Sequence, residues 1–86
     1  MIDSKMNSLK KLLDFLDRLD EAGIYFMLCR CRSEAIMVRV DVPGERWEVE
    51  FFADGSVEVE VFGNKTRIEG EESLSRLFEE FGESVA

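Results

Sequence analysis

Leu9, Leu12, Leu13, Leu16 and Leu19 recur three and four residues apart, and Met6 and Ala22 extend the stripe. That period is that of an amphipathic α-helix. It predicts a helix over about residues 4–22, with its leucines facing a core. Asp3 or Ser4 can cap the start, and Gly23 suits the left-handed position after the end. A dimerising helix shows the same stripe, but a chain of 86 residues needs those leucines inside.

From Ile24 the period changes to two. Ile24–Cys31 reads as a strand. Ala35–Val42 sets Ile36, Val38, Val40 and Val42 against Met37, Arg39 and Asp41; Arg46–Phe52 sets Trp47, Val49 and Phe51 against Glu48 and Glu50; Val57–Phe62 sets its valines against Glu58 and Glu60. These are half-buried strands with one wet face. The connections, Arg32-Ser33-Glu34, Pro43-Gly44 and Ala53-Asp54-Gly55, are short enough only for antiparallel neighbours. Gly63–Gly70 is polar and reads as a loop, in which Ile68 either extends a strand or pins the loop to the core. Leu74, Leu77, Phe78 and Phe81 predict a second helix over about residues 71–81, closed by Gly82. The expected fold is α+β: a two-layer sandwich in the order α-β-β-β-β-α, a four-stranded antiparallel meander with both helices on one face, in a single domain spanning residues 1–86.

Two registers follow from the turns. A three-residue Ala53-Asp54-Gly55 loop, with Gly55 in the left-handed bulge position, pairs Phe51 with Val57, Val49 with Val59 and Trp47 with Val61. A two-residue loop would set valine and phenylalanine opposite glutamate, so the longer loop is preferred. It places Glu50 opposite Glu58 and Glu48 opposite Glu60 on the wet face. The Pro43-Gly44 turn pairs Arg39 with Glu48 and Asp41 with Arg46, leaving Glu50 and Glu58 with no neighbour but Met37. For strand 1, either Ile24, Phe26 and Leu28 or Tyr25, Met27, Cys29 and Cys31 point inward; bulk favours the first set, leaving Tyr25 and Met27 outside near Arg39. The expected core is Leu12, Leu16, Leu19, Val38, Val40, Trp47, Val49, Phe51, Val59, Leu74, Leu77 and Phe78. Val49→Asp is expected to unfold the chain and Glu50→Lys is not.

Charge adds a direction. The chain carries 11 basic and 19 acidic residues, a net charge of −8. Residues 1–40 hold seven Lys/Arg and six Asp/Glu; residues 41–86 hold four and thirteen, a balance of −9. Such a field repels nucleic acid and anionic membrane and attracts basic proteins or cations. Net charge of this kind also serves solubility alone. No signal peptide and no membrane-spanning stretch is expected, which suggests a cytoplasmic protein.

Candidate chemistry is sparse. The chain contains no histidine, which removes Ser-His-Asp and Cys-His catalysis and histidine metal sites. Cys29 and Cys31 lie two strand rises apart, roughly 6.5 Å, too far for an unstrained disulfide. Two thiols are also too few for a zinc site unless a second chain supplies more. Gly63-Asn64-Lys65-Thr66 lacks the upstream glycine and following helix of a phosphate loop. Glutamates on an open sheet lack the cleft that a general acid needs. No enzyme activity, cofactor or metal is expected.

The hairpin from Pro43 to Glu60 carries a Trp-Glu-Val-Glu-Phe strand, a glycine turn and then Val-Glu-Val-Glu. With the Leu74…Leu77-Phe78…Phe81 helix, it resembles a group of small acidic bacterial proteins of uncharacterised function. The resemblance implies an α-β4-α fold and no activity, and carries over no catalytic or ligand residue. By shape and acidity the chain is also similar to immunity proteins of toxin–immunity pairs, and in element order to frataxin. Its first helix, with Asp14, Asp17, Asp20 and Glu21 against Lys10, Lys11 and Arg18, is nearly neutral, and no iron site is carried over. The expected function is a non-enzymatic module that docks a basic protein on its open sheet face through Glu48, Glu50, Glu58, Glu60, Tyr25, Met27 and Arg39. The alternative is a self-associating protein, a homodimer through strand 1 or a sheet edge.

Overall fold

A computed structural model describes residues 4–82, with side chains from Ser8 onward. Asp3, one of the two expected caps, and the side chain of Met6 lie outside the described residues. Helix α1 spans Ser4–Ala22, followed by β1 (Phe26–Arg32), β2 (Ala35–Val42), β3 (Glu45–Phe52), β4 (Val57–Phe62) and β5 (Arg67–Glu69). A single 3-10 turn, Glu71–Ser73, leads into α2 (Leu74–Phe81), so the second helix is shorter than its apolar spacing predicts. The five strands form one open antiparallel sheet in the order β1-β2-β3-β4-β5. The fold is α+β, with one strand more than expected.

α1 ends as its glycine requires. Gly23 has φ +72°, and the Ile24 N–H reaches back to the Leu19 carbonyl at 2.9 Å. This is the bonding of a Schellman cap, and it sets Ile24 against Leu19, both buried. The β2–β3 turn has Gly44 at φ +82° behind Pro43, the type II arrangement in which only the second residue is left-handed. The β3–β4 loop has Gly55 at φ +94°, with the Phe52 N–H bonded to Ser56 O at 3.0 Å and the Gly55 N–H to Phe52 O at 3.0 Å. Both registers follow as expected: Val49 pairs with Val38 and Val59, and Trp47 with Val40 and Val61.

Four buried apolar residues among those described are missing from the expected core: Ile24, Ala35, Val61 and, the largest, Phe15. Phe15 is 4% exposed, with its ring 5.4 Å from Phe51 and 5.8 Å from Phe78, and so joins α1 to both sheet and α2. Leu12, Leu16 and Phe78 pack against the core only partly buried, while Leu9 and Leu13 are 59% and 50% exposed. The leucine stripe is therefore wider than the face that is covered. α1 is fastened to the β3–β4 loop by Ser8 Oγ donating to Ala53 O at 3.0 Å and Lys11 Nζ donating to Gly55 O at 3.0 Å. The Arg18 guanidinium lies over the Phe78 ring at 4.0 Å, tying α1 to α2. Both helices cover the face that carries Trp47, Val49 and Phe51, and the other face is bare.

β5 corrects the reading of Gly63–Gly70 as a loop. Its polarity is inverted: Ile68, opposite Glu60, points to the bare face at 83% exposure, while Arg67 and Glu69 stand opposite Val61 and Val59 on the helix side. Charge there is tolerated because it is paired. Arg67 Nε meets Glu69 at 2.6 Å, Arg76 meets Glu69 at 3.1 Å, and Arg67 reaches Glu45 at 3.5 Å. Glu45 also accepts the Trp47 indole N–H at 3.0 Å, which satisfies the polar atom of the largest core side chain.

The Arg67 guanidinium, with help from Arg76, holds the Glu69 carboxyl below its ordinary value against the opposing pull of desolvation. A depressed carboxylate contributes stability that is present above its unfolded pKa and lost as pH falls through the lower folded value. The urea midpoint is expected to drop on acidification below about pH 4.3, the unperturbed glutamate value. Glu69→Gln should lower the midpoint at neutral pH and flatten part of that acid slope. An unchanged slope in the variant would remove Glu69 from the account.

Candidate functional site: the open sheet face

Antiparallel pairing writes the bare face as rows of side chains running across the sheet. One row reads Met27, Arg39, Glu48, Glu60, Ile68, a residue from each strand in turn. The next reads Cys29, Met37, Glu50, Glu58. The expected Glu48/Glu60 and Glu50/Glu58 oppositions are present. Tyr25 and Met27 are exposed at 68% and 46%, and the register puts Phe26 and Leu28, opposite Val40 and Val38, on the helix side; Ile24 is buried, but Leu28 is 52% exposed, so the expectation that it packs inside is not met. The four glutamates lie together around a depression of about 260 Å³ that also touches Arg32, Met37 and Ile68. Met27 on β1 and Tyr25 just before it stand apart from it; Met27 is three strand spacings, about 14 Å, from Glu60.

The ion pairs differ from those expected. Arg39 is opposite Glu48 and Asp41 opposite Arg46 in the ladder, yet Arg46 turns along its own strand to Glu48 (3.4 Å) and stacks over the Phe62 ring at 4.6 Å. Arg39 is left without a hydrogen bond or ion pair among the described residues, with its Nε buried.

Glu50 does have a cation, contrary to the sequence reading. The β1–β2 ladder slips by one residue between Cys29 and Arg32. This bulge puts Arg32 on the bare face, where its Nε lies 3.3 Å from Glu50 and its guanidinium 5.4 Å from the Phe52 ring. The Ser33-Glu34 turn contains no left-handed residue, and a bulge beside such a turn absorbs the twist it cannot supply. A strict alternation counted from Cys29 sends Arg32 to the other face, so no periodic signal could have found it. The same slip brings the two sulfurs to 3.7 Å, closer than the two-rise spacing suggests. The Cys29 thiol beside it, with burial and Glu50 adding to the effect, holds the Cys31 thiol above its ordinary value.

Glu50 is only 5% exposed, and its Oε2 is buried without a hydrogen bond. Glu50→Lys, expected not to unfold the chain, therefore carries a cost that the alternation alone does not show. A lysine there would sit against Arg32 with its charge largely out of water. The variant is expected to lose roughly 1–3 kcal/mol, read as a lower urea midpoint at unchanged m-value, whereas Glu58→Lys should stay near wild type.

Glu58 is exposed and Glu60 half-buried, and neither has an ion pair among the described residues. The negative excess of the face thus gathers on β4, while Glu48 and Glu50 on β3 already hold arginines. Among the described residues, no three Asp, Glu or Cys side chains converge closely enough to hold a metal ion. No described helix is long and apolar enough to cross a membrane. What the arrangement offers chemically is ion pairing on a shallow, wet surface. No protein family, curated protein or solved structure matches the chain.

Proposed function

We propose that this is a non-enzymatic binding module that docks a basic protein across the open sheet face. The observation that carries the reading is the pair Glu58 and Glu60, opposed to two further glutamates and without counter-ions of their own among the described residues. Like charges set directly opposite cost the fold a few tenths to ~1 kcal/mol per pair. A partner's lysine or arginine over β4 would relieve that repulsion.

Arg39 adds a second requirement. Among the described residues its guanidinium has no hydrogen bond or ion pair, so the complementary surface presents an acceptor over β2 and a cation over β4. Ile68 at one end of the row and Met27 at the other supply apolar contact. The field of the C-terminal half speeds encounter with such a partner, and salt weakens the advantage.

The test is calorimetric titration of an arginine-rich peptide into wild type and into Glu58→Gln/Glu60→Gln. Binding by the double variant is expected to be at least tenfold weaker, with a shallower dependence on salt. Equal affinity and equal salt dependence would reduce the acidic ladder to a solvated face.

A further inference from the structure

Both cysteines of the chain and two of its four methionines fall on one patch of the bare sheet face. Cys29 is directly opposite Met37 in the β1–β2 ladder, and the two stand side by side at the head of a row across the face. Met27 lies two residues before Cys29 on the same side of β1. The slip in the ladder past Cys29 brings Cys31 to the same patch, with its sulfur 3.7 Å from that of Cys29. Both thiols are free, and Cys31 is exposed. β1 is an edge strand, so a solute reaches the sulfurs from the open face and from the side.

We infer that Cys29, Cys31 and Met37 form a three-sulfur binding site for a soft monovalent metal ion of the kind that cuprous copper represents.

The spacing of the thiols suits a shared ion. With metal–sulfur bonds of about 2.3 Å, two sulfurs 3.7 Å apart subtend roughly 107° at one ion. That angle is far from linear, so the ion keeps room for a third donor. Met37 is placed to supply it. Its Cβ lies about 4.5–5.5 Å from that of the residue directly opposite, and an unbranched, flexible thioether can turn its sulfur to the gap. Met27 is not that donor: it is four residues from Cys31, about 13 Å along an extended strand, with Cys29 between them.

The donor set selects the metal. Thiolate and thioether are soft ligands that suit monovalent copper, whereas calcium and magnesium take oxygen. Structural zinc takes four nitrogen, oxygen or thiolate ligands. The chain has no histidine, and among the described residues no third Cys, Asp or Glu converges with the two thiols. Binding releases the two thiol protons to solvent and transfers no electron. Two thiolates and one monovalent cation leave a single negative charge. Arg39, two residues from Met37 on the same side of β2, and Arg32, next after Cys31, stand beside that charge. The inference does not rest on the basic-partner reading, because it uses none of the four glutamates.

The test is competition by the reduced full chain, without oxygen, for cuprous ion held by the coloured chelator bicinchoninate, followed by X-ray absorption at the copper edge. The wild type is expected to withdraw one equivalent and to show three sulfur neighbours. Cys29→Ser and Cys31→Ser should each weaken retention at least a hundredfold. Met37→Leu, which conserves volume, should weaken it at least tenfold and leave two sulfur neighbours. Met27→Leu and Glu58→Gln/Glu60→Gln should match the wild type, and circular dichroism should be unchanged throughout. A wild type that takes no copper from the chelator, or that holds zinc ion as tightly as copper, would overturn the inference. So would retention indifferent to either serine variant or to Met37→Leu. None of these outcomes bears on the peptide titration.

Discussion

Val49→Asp is expected to leave the chain unfolded at neutral pH. Val49 lies in the middle of β3, fully buried, paired with Val38 on one side and Val59 on the other. Among the described residues the helix-side arginines nearby are already engaged: Arg67 and Arg76 pair with Glu69, and Arg76 also lies over the Trp47 ring. An uncompensated buried charge costs on the order of 3–5 kcal/mol. Loss of the valine's burial adds about 1.5–3 kcal/mol. Small domains have total stabilities toward the lower end of roughly 5–15 kcal/mol. Far-ultraviolet circular dichroism should show loss of the sheet signal and no cooperative urea transition. A cooperative transition within ~1 kcal/mol of wild type would mean that Val49 does not face the core, and both hairpin registers would then be wrong.

Phe15→Ala should be the most damaging single truncation in α1. The ring touches Phe51 on the sheet and Phe78 on α2, so its removal opens a cavity where all the layers meet. Deleting a buried phenylalanine costs about 3–5 kcal/mol. Leu9→Ala, six residues away on the same helix, removes a side chain that is already 59% exposed. Its cost should stay within about 0.5 kcal/mol, the usual range for surface changes. Paired urea titrations separate the two accounts of the helix. Equal losses at both positions would show that the whole leucine stripe is buried, as its spacing alone suggests.

What could be read from the sequence was whatever alternation and turn chemistry determine locally. The β3–β4 register followed from the mismatch between valine and glutamate in the rejected pairing, together with the need for a left-handed Gly55. The same reasoning placed the four glutamates on one face, opposed in pairs. Three features escaped because they depend on tertiary context. β5 carries its charges inward and Ile68 outward, the reverse of ordinary patterning, and is held by Glu45 and Arg76 from distant elements. Arg32 reaches Glu50 only because the ladder slips beside the β1–β2 turn. The exposure of Leu9 and Leu13 depends on how much of α1 is covered, which a helical period does not record. Phe15 is a different case. It lies three residues after Leu12 and four before Leu19, so the signal was present, but a stripe followed through leucines alone passes over it.

On the proposed reading, cationic partners meet this protein on β3 and β4 and nowhere else on its acidic surface. α2 and the turn before it supply an internal control, since Glu71, Glu72, Glu79 and Glu80 are all exposed and none of them lies on the sheet. The direct measurement is a titration of isotope-labelled protein with an arginine-rich peptide, followed by amide chemical shifts at low ionic strength and again near 1 M salt, where the screening length falls to about 3 Å. Shifts concentrated at Arg39, Glu48, Glu50, Glu58 and Glu60, and collapsing in high salt, are the expected result. Shifts of equal size at Glu71, Glu72, Glu79 and Glu80 would contradict the claim and leave the open face as one part of a generally acidic surface.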